Sequence, residues 1–226
     1  MSLGSVSSTQ DVSSSLIAET GNSTLVIAAR QTAGRGRQGR TWIEPDRALF
    51  SSFAFESSWS PGVRPVITLC AAVALAESID DALGVHTDIK WPNDLLLDGK
   101  KVAGILVEAS GDIVNVGCGA NLWWPDAPSH AGALSPEPPD EDAEVQLATG
   151  WVDRLIAHLG CGVADWPRHS YLKRSWTIGR TVRWDSGAGI ARDLDDSGGL
   201  IVETKSGTVT IHAGEVHTEN SRDFNR

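Results

Sequence analysis

Cysteine is scarce in this sequence, and the three that occur, Cys70, Cys118 and Cys161, are widely dispersed. Their odd number and their spacing match neither a disulfide framework nor a set of metal ligands, so we predict no metal site built from protein side chains. Dispersed cysteines of this kind are typical of a reducing, cytosolic compartment.

Long apolar runs are also missing. The longest, residues 66–76, is too short to cross a bilayer. Residues 1–12 contain neither the basic stretch nor the apolar stretch of a secretory signal. We therefore expect a cytoplasmic protein that does not engage a membrane.

Positive charge is in short supply as well, because 19 Lys+Arg stand against 29 Asp+Glu and give a net charge of −10. This balance argues against a surface that grips nucleic acid, so any anion site must be local. Three of the few cations, Arg35, Arg37 and Arg40, fall within the glycine-rich segment 34–40, here called the Gly/Arg loop. The hydrophobic share of 41% is sufficient for a folded core.

The pattern of apolar residues predicts a mixture of strands and helices. Six strands are expected in the first part of the chain, at 25–29, 48–55, 87–90, 94–97, 101–108 and 113–117. The Gly/Arg loop joins the first two of them, and Asp98-Gly99 predicts a hairpin turn between two others.

Two helices are predicted between and after these strands. Residues 66–83 follow Pro65 and stop before Gly84, which is typical of a buried helix. The second helix covers 144–159, and its expected buried face consists of Val145, Val152, Leu155, Ile156 and Leu159. Residues 122–142 lack periodicity and predict a long mobile loop.

The pattern of predicted elements changes near residue 177. Short strands at 180–184, 189–193, 200–204 and 208–213 alternate with Gly- and Asp-rich turns. We therefore predict two units, a larger one at 1–176 and a small all-β unit at 177–226.

The Gly/Arg loop satisfies the G-x-G-x-x-G pattern of dinucleotide-binding proteins, but Thr41 to Pro45 follow it and disfavour the helix which that motif requires. Its glycines still allow backbone N–H groups to approach an anion, and its arginines supply forked donors for phosphate or carboxylate. The alternative is a solvated basic hairpin tip.

Two further segments contain residues that could contact a ligand. Residues 90–94 read Lys-Trp-Pro-Asn-Asp, and Lys101 follows the adjacent hairpin turn. The structural alternative treats Trp91 as core, Asn93 and Asp94 as turn formers and Lys101 as a surface charge. Alternate glycines at 116–121 indicate close approach of a ligand or of another backbone, and Cys118 between them is expected to be a small buried residue.

These segments, in this order, resemble bacterial biotin protein ligases. The likeness is carried by Ser8-Thr9, the stretch 31–42, the segment 90–94, the stretch 101–106 and the segment 117–121. It implies an α+β fold, with a mixed sheet flanked by helices as in class II tRNA synthetases and a C-terminal SH3-like barrel.

The resemblance also implies a reaction, in which biotin and Mg-ATP form biotinyl-5′-AMP and pyrophosphate. A lysine of the biotin carboxyl carrier domain of a carboxylase then accepts the biotin. The implied biotin contacts are Ser8, Thr9, Gln31, Gly34, Arg35, Arg37, Lys101, Gly104, Gly117 and Gly119. The implied ATP contacts are Arg37, Arg40, Trp42, Asn93, Lys101 and Asn121, with Trp42 stacking on adenine and Asn93 hydrogen-bonding it.

Two mutually repelling anions must meet in this reaction, which requires persistent cations, and Arg37 and Lys101 fit that demand. Asp94 is the candidate orienter or base for the attacking amine. The rival interpretations are a lipoate or octanoate ligase of the same fold group and a non-catalytic biotin or nucleotide sensor. The assembly is expected to be a monomer or homodimer.

Two departures from the family pattern stand near the start. Gln10 replaces the usual asparagine after Ser8-Thr9, and few residues precede this motif. With no helix-turn-helix segment upstream, we expect catalysis without DNA binding. Residues 124–134 are expected to be disordered without ligand and to close over the adenylate.

Overall fold

The computed structural model describes residues 1–212, 214 and 216–218. Its strands are β1 (Ser2–Val6), β2 (Thr24–Gln31), β3 (Arg47–Glu56), β4 (Asp88–Lys90), β5 (Asp94–Leu97), β6 (Lys100–Ser110), β7 (Ile113–Trp123), β8 (Thr181–Trp184), β9 (Gly187–Leu194), β10 (Leu200–Thr204), β11 (Gly207–Ile211) and β12 (His217–Thr218). Its α-helices are α1 (Thr9–Thr20), α2 (Pro65–Leu83), α3 (Ala143–Gly160) and α4 (Arg168–Lys173).

A seven-stranded mixed sheet forms the larger part of the fold, in the order β1-β2-β3-β7-β6-β5-β4. Only β1 and β2 pair in parallel, and the other neighbours in this sheet are antiparallel. All six strands predicted for this part of the chain are present. The hairpin turn at Asp98-Gly99 is confirmed as well, because both residues have a positive φ, of 52° and 77°.

The first strand and the first helix were not predicted. The serine-rich start has little apolar periodicity, so β1 is recognisable only through its pairing with β2, in which Ser2 lies opposite Ile27. Helix α1 starts at Ser8, whose hydroxyl accepts a hydrogen bond from the Gln10 amide at 3.3 Å. It ends at Gly21, a left-handed residue with φ of 68°.

Helices cover both faces of this sheet, as two neighbouring serines in β3 demonstrate. The Ser51 hydroxyl accepts a hydrogen bond from Trp151 Nε1 of α3 at 3.1 Å, whereas Ser52 Oγ lies 2.7 Å from Thr9 Oγ1 of α1. Successive side chains of a strand point to opposite faces. Helix α1 therefore lies on one face and α3 on the other, where it packs against α2.

Helix α2 is buried along most of its length, as its apolar sequence predicts. Pro65 occupies the first turn, where its missing N–H is not needed, and Gly84 ends the helix with φ of 66°. Twelve of its side chains are buried, and it packs into the core beside α3 on the same face of the sheet. Among the described residues, no helix is long and apolar enough to cross a membrane.

The predicted buried face of α3 is wrong at two positions. Val145 is 44% exposed and Ile156 is 50% exposed, although both were assigned to the buried face with Leu155. The helix instead turns Leu147, Trp151 and Leu155 into the core. The indole Nε1 of Trp151 bonds to Ser51 under the sheet, and this contact sets the rotation of the helix.

The C-terminal strands form a separate five-stranded antiparallel sheet, in the order β11-β10-β9-β8-β12, which is the SH3-like unit expected. All four predicted strands are present, but Ala213, the last residue predicted for the fourth, lies outside the described residues. The unit docks on the larger sheet through buried Trp91, whose Nε1 donates to the Gly198 carbonyl at 3.0 Å. The Trp91 backbone N–H donates to Thr177 Oγ1 at 2.9 Å.

The predicted loop 122–142 begins two residues later than expected, because residues 122–123 belong to β7. The remaining stretch 124–142 contains no helix or long strand, but the expected disorder of 124–134 does not hold for its second half. The Lys101 N–H donates to the His130 carbonyl at 3.3 Å, and the Gly132 N–H donates to the Lys101 carbonyl at 2.9 Å. The Leu134 N–H donates to the Asn121 carbonyl at 2.8 Å. Residues 130–135 are therefore pinned to the start of β6 and the end of β7.

Two adjacent residues of α3 test this packing. We expect Leu155→Ala to lower the free energy of unfolding by roughly 2–5 kcal/mol, because it empties a fully buried position. The matched variant Ile156→Ala removes a half-exposed side chain and should change stability by only about 0.5 kcal/mol. Urea denaturation measures both, and equal losses would contradict the observed rotation of the helix.

Candidate active site

One cavity of about 270 Å³ lies on the α1 face of the sheet and brings the predicted segments together. The start of α1, the Gly/Arg loop, β3, the 93–94 corner, β6, β7 and the 124–131 loop all line it. The predicted residues that line it are Ser8, Thr9, Gln31, Arg35, Arg37, Arg40, Trp42, Asn93, Asp94, Lys101, Gly104, Gly117, Gly119 and Asn121. Gly34 is not among the lining residues, although it lies beside Gln31 and Trp42.

The Gly/Arg loop folds as a small hairpin over the cavity. The Gly36 N–H donates to the Arg40 carbonyl at 2.7 Å, and the Trp42 N–H donates to the Gly34 carbonyl at 3.0 Å. Its only helical feature is a single 3-10 turn, Arg37–Gly39. A dinucleotide fold needs a longer helix to receive a pyrophosphate, so the structure confirms the rejection of that interpretation.

Arg37 is held at the cavity by two oxygen acceptors. Its Nη1 donates to Asn93 Oδ1 at 3.0 Å, and its Nη2 donates to the Gly214 carbonyl of the C-terminal unit at 2.9 Å. Burial lowers the pKa of the guanidinium, Asp94 opposes that shift, and the nearby charge of Arg40 adds to it. An arginine remains protonated under such shifts, so a fixed positive charge faces the cavity.

Lys101 supplies the second fixed cation. Its Nζ lies 2.7 Å from Asp94 Oδ1 and 5.5 Å from the centre of the Trp42 ring. The alternative reading of Lys101 as an ordinary surface charge does not hold, since it lines the cavity with only 38% of its side chain exposed. Asp94 directs the ammonium group, because the two residues stand on the neighbouring strands β5 and β6.

Arg35 has a different arrangement from Arg37. Its Nη1 lies 2.7 Å from Asp11 Oδ1, in the first turn of α1, and its Nη2 lies 3.3 Å from Glu108 Oε2 of β6. The hydrogen bond to Asp11 raises the pKa of the guanidinium. This arginine is therefore paired with carboxylates of the protein itself.

A chain of hydroxyl and amide groups closes the other end of the cavity. The Gln31 Oε1 atom accepts from the Thr9 N–H at 2.8 Å and from Thr9 Oγ1 at 3.1 Å. The Thr9 hydroxyl is also 2.7 Å from Ser52 Oγ. These contacts fix Thr9 and Gln31 in orientation, so their remaining donors and lone pairs face the cavity at defined positions.

The alternate glycines of β6 and β7 make room for two protein side chains. A Cβ at Gly104 or Gly119 would lie 3.0 Å and 3.1 Å from the Trp42 ring. A Cβ at Gly117 would lie 2.8 Å from Gln10 Cδ. The close approach inferred from the glycine pattern is therefore real, and it positions Trp42 and Gln10 against the sheet.

Twelve lining residues were not among the predicted site residues, namely Gln10, Gly36, Thr41, Ile43, Ser51, Ser52, Ile105, Leu106, Cys118, Trp124, His130 and Ala131. Gln10 follows Ser8-Thr9 directly, which was the available signal for it. Its Nε2 donates to the Leu106 carbonyl at 3.2 Å, so it connects α1 with β6. The serines and the loop residues reach the cavity only through sheet pairing, for which single positions carry no sequence signal.

Two buried polar atoms of residues that line the cavity, Trp42 Nε1 and Asn121 Oδ1, have no hydrogen-bond partner among the described residues. The Asn121 amide is oriented by its Nδ2, which donates to the Gly132 carbonyl at 2.8 Å. One buried donor and one buried acceptor without partners are costly unless a ligand or water satisfies them. Asn93 differs, because its Oδ1 accepts from Arg37 and its Nδ2 donates to the Ile105 carbonyl at 2.9 Å.

Comparison with known proteins shows the same two parts. The Biotin/lipoate A/B protein ligase family matches residues 3–122, and the Biotin protein ligase C terminal domain matches residues 177–217. A biotin–[acetyl-CoA-carboxylase] ligase of Mycobacterium tuberculosis is 34% identical, over 85% of this chain and 77% of its own length.

A bifunctional ligase/repressor of Bacillus spizizenii is 30% identical over 85% of this chain, and the chain spans 65% of that protein's length. Among solved structures, a biotin protein ligase from Aquifex aeolicus in complex with biotin and ATP superposes with a TM-score of 0.79. It is 25% identical, and the match covers 98% of both chains.

The cysteines provide a test of the packing of the core beneath the cavity. Burial raises the pKa of Cys118, which lines the cavity, and of Cys70 in the core to about 12 in each case, whereas Cys161 is exposed. A thiol reacts as its thiolate, so we expect a thiol reagent at pH 8 to label Cys161 alone in the folded protein. Mass spectrometry should find one adduct, none in Cys161→Ser and three after unfolding in urea. Rapid labelling of folded Cys118 would show that the core beneath the cavity is more open than described.

Proposed function

Because the chain belongs to the biotin protein ligase family, we propose that it activates biotin as biotinyl-5′-AMP and transfers it to a lysine of a carrier protein. The observation that carries this proposal is the composition of the cavity. It joins two fixed cations, Arg37 and Lys101, to two buried polar atoms, on Trp42 and Asn121, that have no hydrogen-bond partner in the described part of the chain. The carrier is proposed to be the biotin carboxyl carrier domain of a carboxylase.

We assign the two ends of the cavity to the two substrates. The end formed by Ser8, Thr9 and Gln31 offers hydroxyl and amide groups at fixed positions, which suit the donors and acceptor of the biotin ureido ring. The opposite end carries Trp42 and Asn121, with a flat aromatic surface and a free acceptor for an adenine. Asn93 orients Arg37 there through its Oδ1, and its Nδ2 donates to the Ile105 carbonyl, which leaves one N–H and one lone pair for a ligand.

In the first step, a biotin carboxylate oxygen attacks the α-phosphorus of ATP, and the bond from that phosphorus to the pyrophosphate oxygen breaks. The carboxylate and the triphosphate repel each other, so their approach needs positive charge that is already in place. Arg37 and Lys101 are held by Asn93, the Gly214 carbonyl and Asp94 before any anion arrives. Cations positioned in this way stabilise the charge that develops in the transition state without reorganising.

In the second step, the carrier lysine attacks the carboxyl carbon of the adenylate, an amide forms and AMP leaves. A lysine amine is ordinarily protonated near neutral pH and must lose a proton before it attacks. We propose Asp94 as the group that orients this amine or receives its proton, since it is the carboxylate among the described residues that line the cavity. In doing so Asp94 exchanges its contact with Lys101 for one with the incoming amine.

Magnesium is proposed to enter as part of the Mg-ATP substrate. Among the described residues, no group of three or more His, Cys, Asp or Glu side chains is placed to hold a metal ion. Magnesium is commonly bound through substrate phosphates and one or two carboxylates, and Asp94 is available beside the proposed phosphate position.

We also propose a division of labour along the chain, with catalysis in 1–176 and a supporting role for 177–226. The contact between Gly214 and Arg37 supports this view, because the second unit reaches the cavity of the first. The proposed location is the cytoplasm, in keeping with three cysteines that form no disulfide.

Incubation with Mg-ATP, biotin and an apo carrier domain tests the activity. We expect a biotin-dependent mass increase on the carrier, together with biotin-dependent release of pyrophosphate. Lipoate and octanoate in equal concentration should compete poorly, because they lack the ureido donors and acceptor that Thr9 and Gln31 are placed to meet. Preferential activation of lipoate would favour the related ligase class, and binding without pyrophosphate release would favour a sensor.

Substitution of two neighbouring lysines distinguishes a catalytic role of one side chain from an effect of the net charge of the protein. We expect Lys101→Met to lower the rate of pyrophosphate release by roughly 100- to 1,000-fold, as for loss of one preorganised transition-state contact. Lys100→Met, at the adjacent exposed position, should retain activity close to that of the unchanged protein. A similar loss in both variants would assign the effect to net charge rather than to the cavity.

A further inference from the structure

The ion pairs of Arg35 join the Gly/Arg loop to two elements that line the cavity. They connect three separate elements, because Arg35 belongs to the Gly/Arg loop, Asp11 to α1 and Glu108 to β6. The distances are 2.7 Å to Asp11 and 3.3 Å to Glu108. The loop is thereby fastened to two different walls of the cavity through one guanidinium group.

The loop that carries Arg35 is closed on itself as a hairpin by hydrogen bonds from Gly36 to Arg40 and from Trp42 to Gly34. Residues 35–37 and 40–43 of this hairpin line the cavity. Any opening of the hairpin at the end near α1 must therefore break the contacts of Arg35. The opposite side of the loop is held separately, by the contacts of Arg37 with Asn93 and Gly214.

We propose that Asp11 and Glu108 are positioning residues that hold the Gly/Arg loop closed over bound biotin through Arg35, and so set the rate of biotin release. This inference rests on the proposed function. It gives Arg35 a role different from that of Arg37, because its charge is neutralised by two carboxylates of the protein and is not directed at the substrate anions. Substrate charge is then left to Arg37 and Lys101.

The geometry also sets the size of the effect. Each partner is partly exposed, with 39% of the Arg35 side chain, 50% of Asp11 and 48% of Glu108 accessible. Exposed ion pairs are individually weak, so loss of one should accelerate biotin release by about two- to fivefold. Loss of both should accelerate it by about tenfold. Such a weak closure suits a loop that must open again in each catalytic cycle.

The test measures dissociation of labelled biotin after a chase with unlabelled biotin. We expect faster release from Asp11→Asn and Glu108→Gln and the fastest release from the double variant, while Asp11→Glu retains slow release. The Michaelis constant for biotin should rise more than kcat falls. Glu203→Gln is the matched control, because it removes an equally exposed ion pair with Arg192 in the C-terminal sheet.

The dependence of the biotin release rate on salt concentration distinguishes loss of the ion pairs from a general loss of stability. Salt screens exposed ion pairs. A higher salt concentration should therefore accelerate biotin release from the unsubstituted protein and have little effect on release from the double variant. The proposal would be overturned if the double variant released biotin as slowly as the unsubstituted protein. It would also be overturned if salt accelerated release equally in these two proteins.

Hydrogen exchange separates this proposal from the proposed function. In the ligand-free protein, amides of residues 34–42 should exchange several-fold faster in the double variant than in Glu203→Gln. Failure of the unchanged protein to bind biotin would refute the ligase assignment, while the exchange comparison would still decide whether Arg35 fastens the loop. Equal exchange in both variants would refute the fastening even if biotin binds.

Discussion

Accumulation of positive charge at one cavity of an acidic chain is the constraint on which the site depends. Neighbouring guanidinium and ammonium groups repel one another, and the charge of Arg40 acts on Arg37 in this way. The structure supplies each of the main cations with oxygen partners. The Asn93 amide and the Gly214 carbonyl hold Arg37, whereas the Asp94 carboxylate holds Lys101. The cations are therefore in place before two mutually repelling anions are brought together.

The supporting contacts extend well beyond the cavity. Trp91 stands in the same segment as Asn93, and its indole and backbone N–H groups bond to Gly198 and Thr177. The segment that orients Arg37 is thus braced by the C-terminal unit, which also reaches Arg37 directly through Gly214. Changes in the docking of that unit should consequently alter the electrostatics of the cavity, because neutral carbonyl and amide partners orient a guanidinium only at hydrogen-bond distance.

The central sheet separates stability from chemistry by using its two faces differently. Helices α2 and α3 cover one face and supply the buried apolar core, with Trp151 bonded to Ser51. The other face carries α1 and the cavity, and there Ser52 contacts Thr9. Glycines at 104, 117 and 119 leave the space that Trp42 and Gln10 occupy on this face. The sheet therefore holds polar groups at fixed positions beneath the Gly/Arg loop.

The sequence by itself determined most strands, the buried helix α2 and the segments that build the cavity, because these depend on local periodicity, turn residues and short motifs, while the α+β class followed from the resemblance to biotin protein ligases. It also identified Arg37, Lys101 and Asn121 as members of the site. Only the tertiary structure decided that Arg35 pairs with Asp11 and Glu108, that Asn93 serves Arg37, and that Val145 and Ile156 face solvent. Those outcomes depend on strand register, on helix rotation and on partners up to 177 residues away in the chain, which no local pattern encodes.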